Sequence, residues 1–117
     1  MTKNRNAKPY DLEDRTLTFA KEVRNFVKRL PRTVANVQDG KQLIRAFVSV
    51  GANYIDANEA LSKKDFLMRM KICRKEEKES RYWLQSLDTL GKEHQEHNRA
   101  VLMNEATELI NTFGAIL

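Results

Sequence analysis

The sequence is poor in residues that interrupt helices, and it lacks the patterns of secreted and membrane proteins. Its 117 residues include four glycines, two prolines and one cysteine. This scarcity of turn-forming residues, beside abundant Ala, Leu, Glu, Lys and Arg, indicates an all-α protein. The single cysteine excludes an intrachain disulfide. Because the polar N-terminus lacks the apolar core of a signal peptide and no apolar run is long enough to span a membrane, a cytoplasmic protein without a membrane partner is expected.

The charge balance of the chain is basic. There are 21 Lys and Arg residues against 16 Asp and Glu residues, which gives a formal net charge of +5 at pH 7. A chain of this length forms one domain, and its positive field would attract a polyanionic partner such as RNA or DNA. Small basic domains that bind no polyanion are common, so net charge alone leaves nucleic-acid binding open.

Apolar residues recur at helical spacing in four segments that are separated by short polar links. These segments predict four helices, at about residues 12–30, 40–60, 63–90 and 98–117. Four helices with short connections favour an antiparallel up-down-up-down four-helix bundle. Residues 1–10 are polar, basic and unpatterned, so they are expected to form a flexible tail.

Local signals predict the ends of the second and third helices. Asp39 with Gln42, and Ser62 with Asp65, have the spacing of a capping box, so each pair predicts a helix start. Gly91 suits the left-handed position that follows a helix, which predicts the end of the third helix. The polar residues after Gly91, KEHQEHN, have weak periodicity and are expected to form a loop or a fraying turn.

The second predicted helix has two apolar faces. One fits the core of a bundle, and the other, about a third of a turn away, consists of Ile44, Val48, Gly51 and Ile55. A helix that is apolar on more than one side is buried on more than one side. Another subunit is the simplest surface to cover the second face, which predicts a homo-oligomer with these four residues at its interface. The alternative is a central position for this helix in an asymmetric bundle.

The third predicted helix carries cations and a tyrosine on the side away from its apolar stripe. These residues are Lys64, Lys71, Arg74, Lys75, Lys78, Arg81 and Tyr82. Such a surface can neutralise several phosphates while the tyrosine ring stacks on a base. The pattern therefore predicts a nucleic-acid-binding site on this face. The alternative is an ordinary solvated helix surface, because long basic side chains are common there and Glu79 lies nearby.

Side chains that carry chemistry are few. Glu77 lies within the apolar stripe of the third helix and needs a polar partner if it is buried, for which Arg45 is a candidate. Cys73 lies on the same stripe, where a free thiol behaves as a small apolar group. His94 and His97 have a spacing that a metal site can use, but a solvated polar loop is the preferred interpretation. With no pairing of nucleophile and base, we expect no catalytic residue, no metal and no cofactor.

Two segments resemble a known family. Residues 45–46 (Arg-Ala) and 49–57 (SVGANYIDA) are similar to the second helix of the four-helix-bundle family first met in intervening sequences of bacterial 23S rRNA genes. Residues 79–84 (ESRYWL) are similar to the end of the third helix in some members. The resemblance extends from residue 11 to about residue 117. It departs from the family pattern at Gly51, where proline is usual, and at residues 56–57, where Asp-Ala replaces Glu-Gly.

The resemblance implies a four-helix protomer that assembles into a homopentamer. This family is also similar to the accessory variability determinant of diversity-generating retroelements, a basic pentamer that engages nucleic acid and a reverse transcriptase. The expected function is therefore a non-enzymatic RNA- or DNA-binding or scaffold protein that acts as a homo-oligomer. The alternative is a protein–protein adaptor, such as a reverse-transcriptase accessory subunit, with no direct nucleic-acid contact.

Overall fold

The computed structural model describes residues 11–117, in which four α-helices follow one another through short connections. They are α1 (Leu12–Lys28), α2 (Val34–Asn58), α3 (Lys63–Ser86) and α4 (Glu93–Ile116). Each helix packs against its neighbours in sequence, and α1 packs against α4, so the helices close into an antiparallel bundle. The described residues contain no strand. The predicted all-α four-helix bundle is confirmed, whereas the predicted tail at residues 1–10 lies outside the described range.

The core of the bundle is built from the apolar stripe of each helix. Side chains that are almost completely buried come from all four helices: Phe19, Val23, Leu43, Val50, Met70, Leu84, Leu109 and Phe113. Burial of these aliphatic and aromatic groups is the main force that stabilises such a bundle, because helices in proteins owe most of their stability to packing of an apolar face. Among residues 11–117, no helix has the length and apolar character that crossing a membrane would require.

Cys73 lies inside this core, as its position on the apolar stripe predicts. The residue is 0% exposed, and its Sγ lies 3.5 Å from the backbone carbonyl oxygen of Val50, to which it donates. Burial, reinforced by the nearby Glu77 carboxyl, raises the pKa of the thiol to about 12. The reactive thiolate is therefore disfavoured at neutral pH.

The helix α2 begins about six residues before the predicted start. Thr33 is its N-cap residue: the backbone is extended there, and Thr33 Oγ1 accepts a hydrogen bond from the backbone N–H of Asn36 at 3.1 Å. The predicted capping box of Asp39 and Gln42 is wrong. Asp39 lies inside the helix, and its Oδ2 accepts a hydrogen bond from Ser86 Oγ at 3.0 Å. A threonine shortly after Pro31 starts the helix earlier because it already satisfies a free N–H group.

The helix α3 begins at the predicted cap but ends before Gly91. Ser62 accepts a hydrogen bond from the backbone N–H of Asp65 at 3.0 Å, while Leu87 is already extended, with ψ of 144°. Gly91 does not follow the helix directly, so its predicted role as helix terminator is wrong. It adopts a positive φ of 73° within the connection to α4, next to Leu90 with φ of 56°, where glycine accepts the left-handed conformation at little cost.

The helix α4 includes most of residues 92–98, for which the weak periodicity predicts a loop or a fraying turn. It begins at Glu93, and its first turn contains Glu93 and Glu96, whose negative charges favour a helix N-terminus. A tertiary contact also favours the early start of α4. Arg99 Nη1 donates to the backbone carbonyl groups of Leu84, Gln85 and Leu87. Those carbonyls lie at the end of α3, where no helical N–H group remains to pair with them.

Asn36 connects the two loops at this end of the bundle. Its side chain is buried, with 5% exposure. The Nδ2 group donates to the carbonyl oxygens of Pro31 at 2.9 Å and Asp88 at 2.8 Å, and Oδ1 accepts from the backbone N–H of Asp88 at 2.9 Å. One amide therefore fixes the connection between α1 and α2 to the connection between α3 and α4.

Candidate nucleic-acid interface

Three lysines form a row along the outer face of α3. Lys64, Lys71 and Lys78 are exposed and recur every seven residues, which places successive Cα atoms about 10 Å apart along the axis at roughly 1.5 Å per residue. None of the three has a salt bridge within residues 11–117. Tyr82 lies one turn beyond Lys78 and is 62% exposed. We call these four residues the lysine row.

Tyr82 is held in place by its neighbour. Its ring meets the ring of Trp83 edge to face, with centroids 5.0 Å apart and an interplanar angle of 83°. Trp83 itself packs against the core. This contact leaves the Tyr82 ring exposed to solvent beside a tryptophan that packs against the core. The exposed ring can stack against a flat ligand group.

The two arginines of the predicted site turn towards α4 instead of outwards. Arg81 Nη1 donates to Thr107 Oγ1 on α4 at 3.1 Å. Arg74 lies beside Gly114, so that a Cβ placed on that glycine would come within 3.7 Å of Arg74 Nη1. Both side chains are half-buried. They border the lysine row, and their guanidinium groups are directed to the seam between α3 and α4.

Lys75 belongs to a cluster of opposite charges on the other flank of α3. Its Nζ lies 3.6 Å from Glu76 Oε2 and 3.5 Å from Glu79 Oε2. Arg45 of α2 forms salt bridges with the same carboxylates: its Nη1 lies 3.5 Å from Glu76 Oε1, and its Nη2 lies 2.8 Å from Glu79 Oε1. The hydrogen bond from Arg45 lowers the pKa of Glu79. Because these acids neutralise Lys75, the free positive charge on the outer face resides mainly on the lysine row.

A second group of cations was not predicted from the sequence. It lies where α1 ends and α2 begins, and consists of Arg24, Lys28, Arg29, Arg32 and Lys41. All five are exposed, and none has a salt bridge among the described residues. Four of them fall within residues 24–32, a density of positive charge that was visible in the sequence. The turn between the two helices brings Arg32 and Lys41 to one groove between α1 and α2, whereas Arg29 lines a groove between α1 and α4.

The second apolar face of α2 is uncovered in the single protomer. Ile44, Val48 and Ile55 are 37%, 47% and 51% exposed. A Cβ added at Gly51 would meet no atom within 4 Å. We call Ile44, Val48, Gly51 and Ile55 the α2 stripe. Ile44 shares a groove with Val27 and Leu30 of α1, whereas Val48 and Ile55 are about half exposed among the described residues. Packing within the bundle therefore accounts for only part of this apolar face.

Replacing Gly51 with alanine is expected to stabilise the isolated protomer. The helix gains about 1 kcal/mol of propensity, and the new methyl group meets open space within the chain. Thermal unfolding at several protein concentrations measures this effect. A variant that is less stable than the wild type, with a deficit that grows with concentration, would show instead that another chain packs closely against Gly51.

Glu77 is buried without the predicted partner. Its side chain is 0% exposed, and neither carboxyl oxygen has a hydrogen-bond partner among the described residues. Arg45 as the partner of Glu77 is wrong, because this arginine lies on the outer side of α2 and pairs with Glu76 and Glu79. Burial raises the pKa of Glu77 to about 8, an effect that the negative charge of Glu105 reinforces and Arg81 partly opposes.

The histidines that were considered as metal ligands lie in the first turns of α4. Both His94 and His97 are exposed, and His94 Nε2 lies 3.4 Å from Asn98 Nδ2. Within residues 11–117, no group of three or more His, Cys, Asp or Glu side chains is placed to hold a metal ion.

The fold and its surface define a class of protein: one four-helix bundle with a basic outer face and an apolar stripe that is largely exposed in residues 11–117. The family model of the 23S rRNA-intervening sequence protein matches residues 10–114. The chain belongs to this family, which confirms the resemblance seen in residues 45–57 and 79–84.

A solved structure supports the same assignment. It is the crystal structure of a protein with unknown function from the S23 ribosomal protein family of Bacteroides thetaiotaomicron, with 29% sequence identity and a TM-score of 0.76. The alignment covers 94% of this chain and 97% of that chain. No curated protein matches the sequence.

Proposed function

We propose that this protein is a non-enzymatic, cytoplasmic nucleic-acid-binding protein that acts as a homo-oligomer. The observation that supports this proposal best is the lysine row: three exposed lysines that form no salt bridge with any other described residue, in line with an exposed tyrosine. Each lysine can neutralise a phosphate and release its counterion, while Tyr82 stacks on a base. The proposed ligand is RNA or DNA bound through its backbone, since this surface offers few groups for reading base edges.

The proposed assembly uses the α2 stripe. Exposed apolar side chains in a continuous line on one helix are unusual for a monomer and typical of an interface. The homopentamer implied by the family resemblance is the assembly we propose. Repetition of the lysine row in each protomer would then raise the affinity for a long polyanion through multiple contacts.

Reversal of two charges in the lysine row tests the binding proposal. The variant Lys71→Glu with Lys78→Glu is expected to bind single-stranded RNA or DNA about tenfold more weakly or worse at roughly 0.1 M salt, because two phosphate contacts per protomer are lost. The slope of log affinity against log salt is expected to fall as well. Fluorescence anisotropy with a labelled oligonucleotide, measured over a series of salt concentrations, provides both quantities.

A charge-matched control separates the lysine row from net charge. Lys21→Glu with Lys92→Glu changes two exposed lysines of α1 and the loop before α4 by the same total charge. This control is expected to retain most of the affinity. An equal loss in both variants would show that only net charge matters and would contradict the assignment of the site. A wild-type protein that binds neither RNA nor DNA at about 50 mM salt would favour the adaptor function, with a protein such as a reverse transcriptase as its partner.

A further inference from the structure

Glu77 is a buried carboxyl group that the proposed binding surface does not use. It lies on the inward face of α3 between Cys73 and Ser80, each of which is also 0% exposed. Neither carboxyl oxygen has a hydrogen-bond partner among the described residues. An ionised carboxylate in such surroundings is disfavoured, because no donor of the described residues replaces the hydrogen bonds to water that it has lost, and the charge of Arg81 offsets this cost only in part.

The polar groups of α3 and α2 near Glu77 are bound to other partners. On α3, Ser80 Oγ donates to the backbone carbonyl oxygen of Glu76 at 3.0 Å, and Arg81 donates to Thr107 of α4. The cation that α2 brings to this level of the bundle is Arg45, which pairs with Glu76 and Glu79. Of these groups, Arg81 alone favours a negative charge on Glu77, through its nearby positive charge, and it forms no hydrogen bond with the carboxyl group.

The groups that α4 and α1 bring to this region also disfavour ionisation of Glu77. Glu105 of α4 is half-buried, and its negative charge raises the pKa of Glu77. Arg15 Nη2 of α1 lies 3.4 Å from Glu105 Oε2 and 3.8 Å from Glu108 Oε1, so this arginine already forms salt bridges with two carboxylates. Glu22 of α1 adds a further negative charge near Glu105. The cations of this region are Arg15, which Glu105 and Glu108 bind, and Arg74 and Arg81 of α3, whose guanidinium groups face α4. Among the described residues, none of them forms a hydrogen bond with the Glu77 carboxyl group.

We propose that Glu77 is a proton-dependent element of the bundle: its protonated form fits the core, and loss of the proton in mildly alkaline solution loosens the packing of α3 against α4. The raised pKa of Glu77, about 8, agrees with this assignment and has burial as its main cause. The inference concerns the bundle itself and does not depend on nucleic-acid binding.

The sign of the pH dependence follows from the proton balance between folded and unfolded chains. Unfolded Glu77 titrates near its ordinary pKa of 4.5, whereas the folded group titrates near 8. Between these values the unfolded chain binds fewer protons than the folded chain, so stability falls as the pH rises, and the loss is complete above the folded pKa. Glu79 and Glu96 give the stability of the fold the opposite pH dependence, because hydrogen bonds from Arg45 to Glu79 and from Thr89 to Glu96 lower the pKa values of these carboxyl groups. Their stabilising effect is lost only in acid.

Denaturant unfolding near pH 6 and near pH 9 tests the proposal. Fluorescence of Trp83, the single tryptophan, reports unfolding from within α3. The unfolding equilibrium constant of the wild type is expected to rise about tenfold or more between the two pH values, since one unit of pKa difference is a factor of ten. In Glu77→Gln this rise is expected to shrink to about twofold, the part due to Cys73, whose buried thiol also has a raised pKa. The control Glu59→Gln, an exposed residue without a salt bridge among the described residues, is expected to behave as the wild type.

Equal pH dependence in the wild type and Glu77→Gln would overturn the proposal. If the glutamine variant does not fold, Glu77→Met offers a side chain of similar length without a titratable group. A carbon-detected NMR titration of the wild-type Glu77 carboxyl needs no variant: a midpoint above about 6 supports the proposal, and a lower one overturns it. Amide hydrogen exchange tests the loosening, because unchanged protection of α3 and α4 between about pH 7 and pH 9 would also overturn it.

Discussion

Replacing Asn36 with alanine is expected to lower the free energy of unfolding by about 3 kcal/mol, because the change removes the partner of three backbone groups from part-buried hydrogen bonds. These groups are the carbonyl oxygens of Pro31 and Asp88 and the N–H of Asp88. Water cannot replace the lost bonds freely, since Asn36 is only 5% exposed. The backbone N–H of Asn36 keeps its bond to Thr33, so the start of α2 itself is preserved.

Chemical denaturation of two further variants distinguishes these hydrogen bonds from a general effect of removing an asparagine. Asn36→Asp keeps an acceptor for the N–H of Asp88 but cannot donate to either carbonyl, so it is expected to be destabilised as well. Asn111→Ala removes an exposed asparagine on α4 and is expected to change stability by less than about 0.5 kcal/mol. An Asn36→Ala protein within about 1 kcal/mol of the wild type would contradict the importance of this contact.

Asn36 also shows why the start of α2 could not be predicted from local signals. Thr33 and Asp39 are both good N-cap residues, and the spacing of Gln42 after Asp39 favoured the later one. The structure selects Thr33 because Asn36, one turn further on, reaches Asp88, which is 52 residues away in sequence. Local propensity does not reflect the hydrogen bond between Asn36 and Asp88, because these residues meet only after the bundle has formed. Arg99, which satisfies the end of α3 from α4, extended α4 for the same reason.

The candidate interface could be predicted in outline, because helical spacing is enough to place its members on one broad side of α3. The spacing could not show which flanking side chains are taken up by neighbouring helices. Arg81 meets Thr107, an outcome that depends on how α4 lies against α3. Lys75 meets Glu79 four residues further along α3, which helical spacing allows, but the contact of Glu79 with Arg45 depends on how α2 lies against α3. Burial of Glu77 followed from the apolar stripe, but its lack of a partner is a property of the assembled core.

Replacing Val48 and Ile55 with aspartate is expected to dissociate the proposed oligomer into folded protomers. Burial of an aliphatic side chain contributes about 1.5–3 kcal/mol, so loss of two at each interface weakens association about a hundredfold or more, at roughly 1.4 kcal/mol per factor of ten. Burial of the new carboxylates would add a further penalty. The protomer itself should tolerate the changes, because both side chains are about half exposed within it, at 47% and 51%.

Light scattering coupled to size-exclusion chromatography, at micromolar protein concentration, measures the mass of each species. The matched control is Leu17→Asp with Val101→Asp, which alters two apolar side chains of similar exposure, 51% and 53%, on α1 and α4. This control is expected to keep the mass of the wild type, and thermal unfolding of all three proteins checks that each protomer folds. Dissociation of the control alone would place the interface on another face. A wild-type protein that is already a monomer would contradict the oligomer and leave the α2 stripe for a different protein partner.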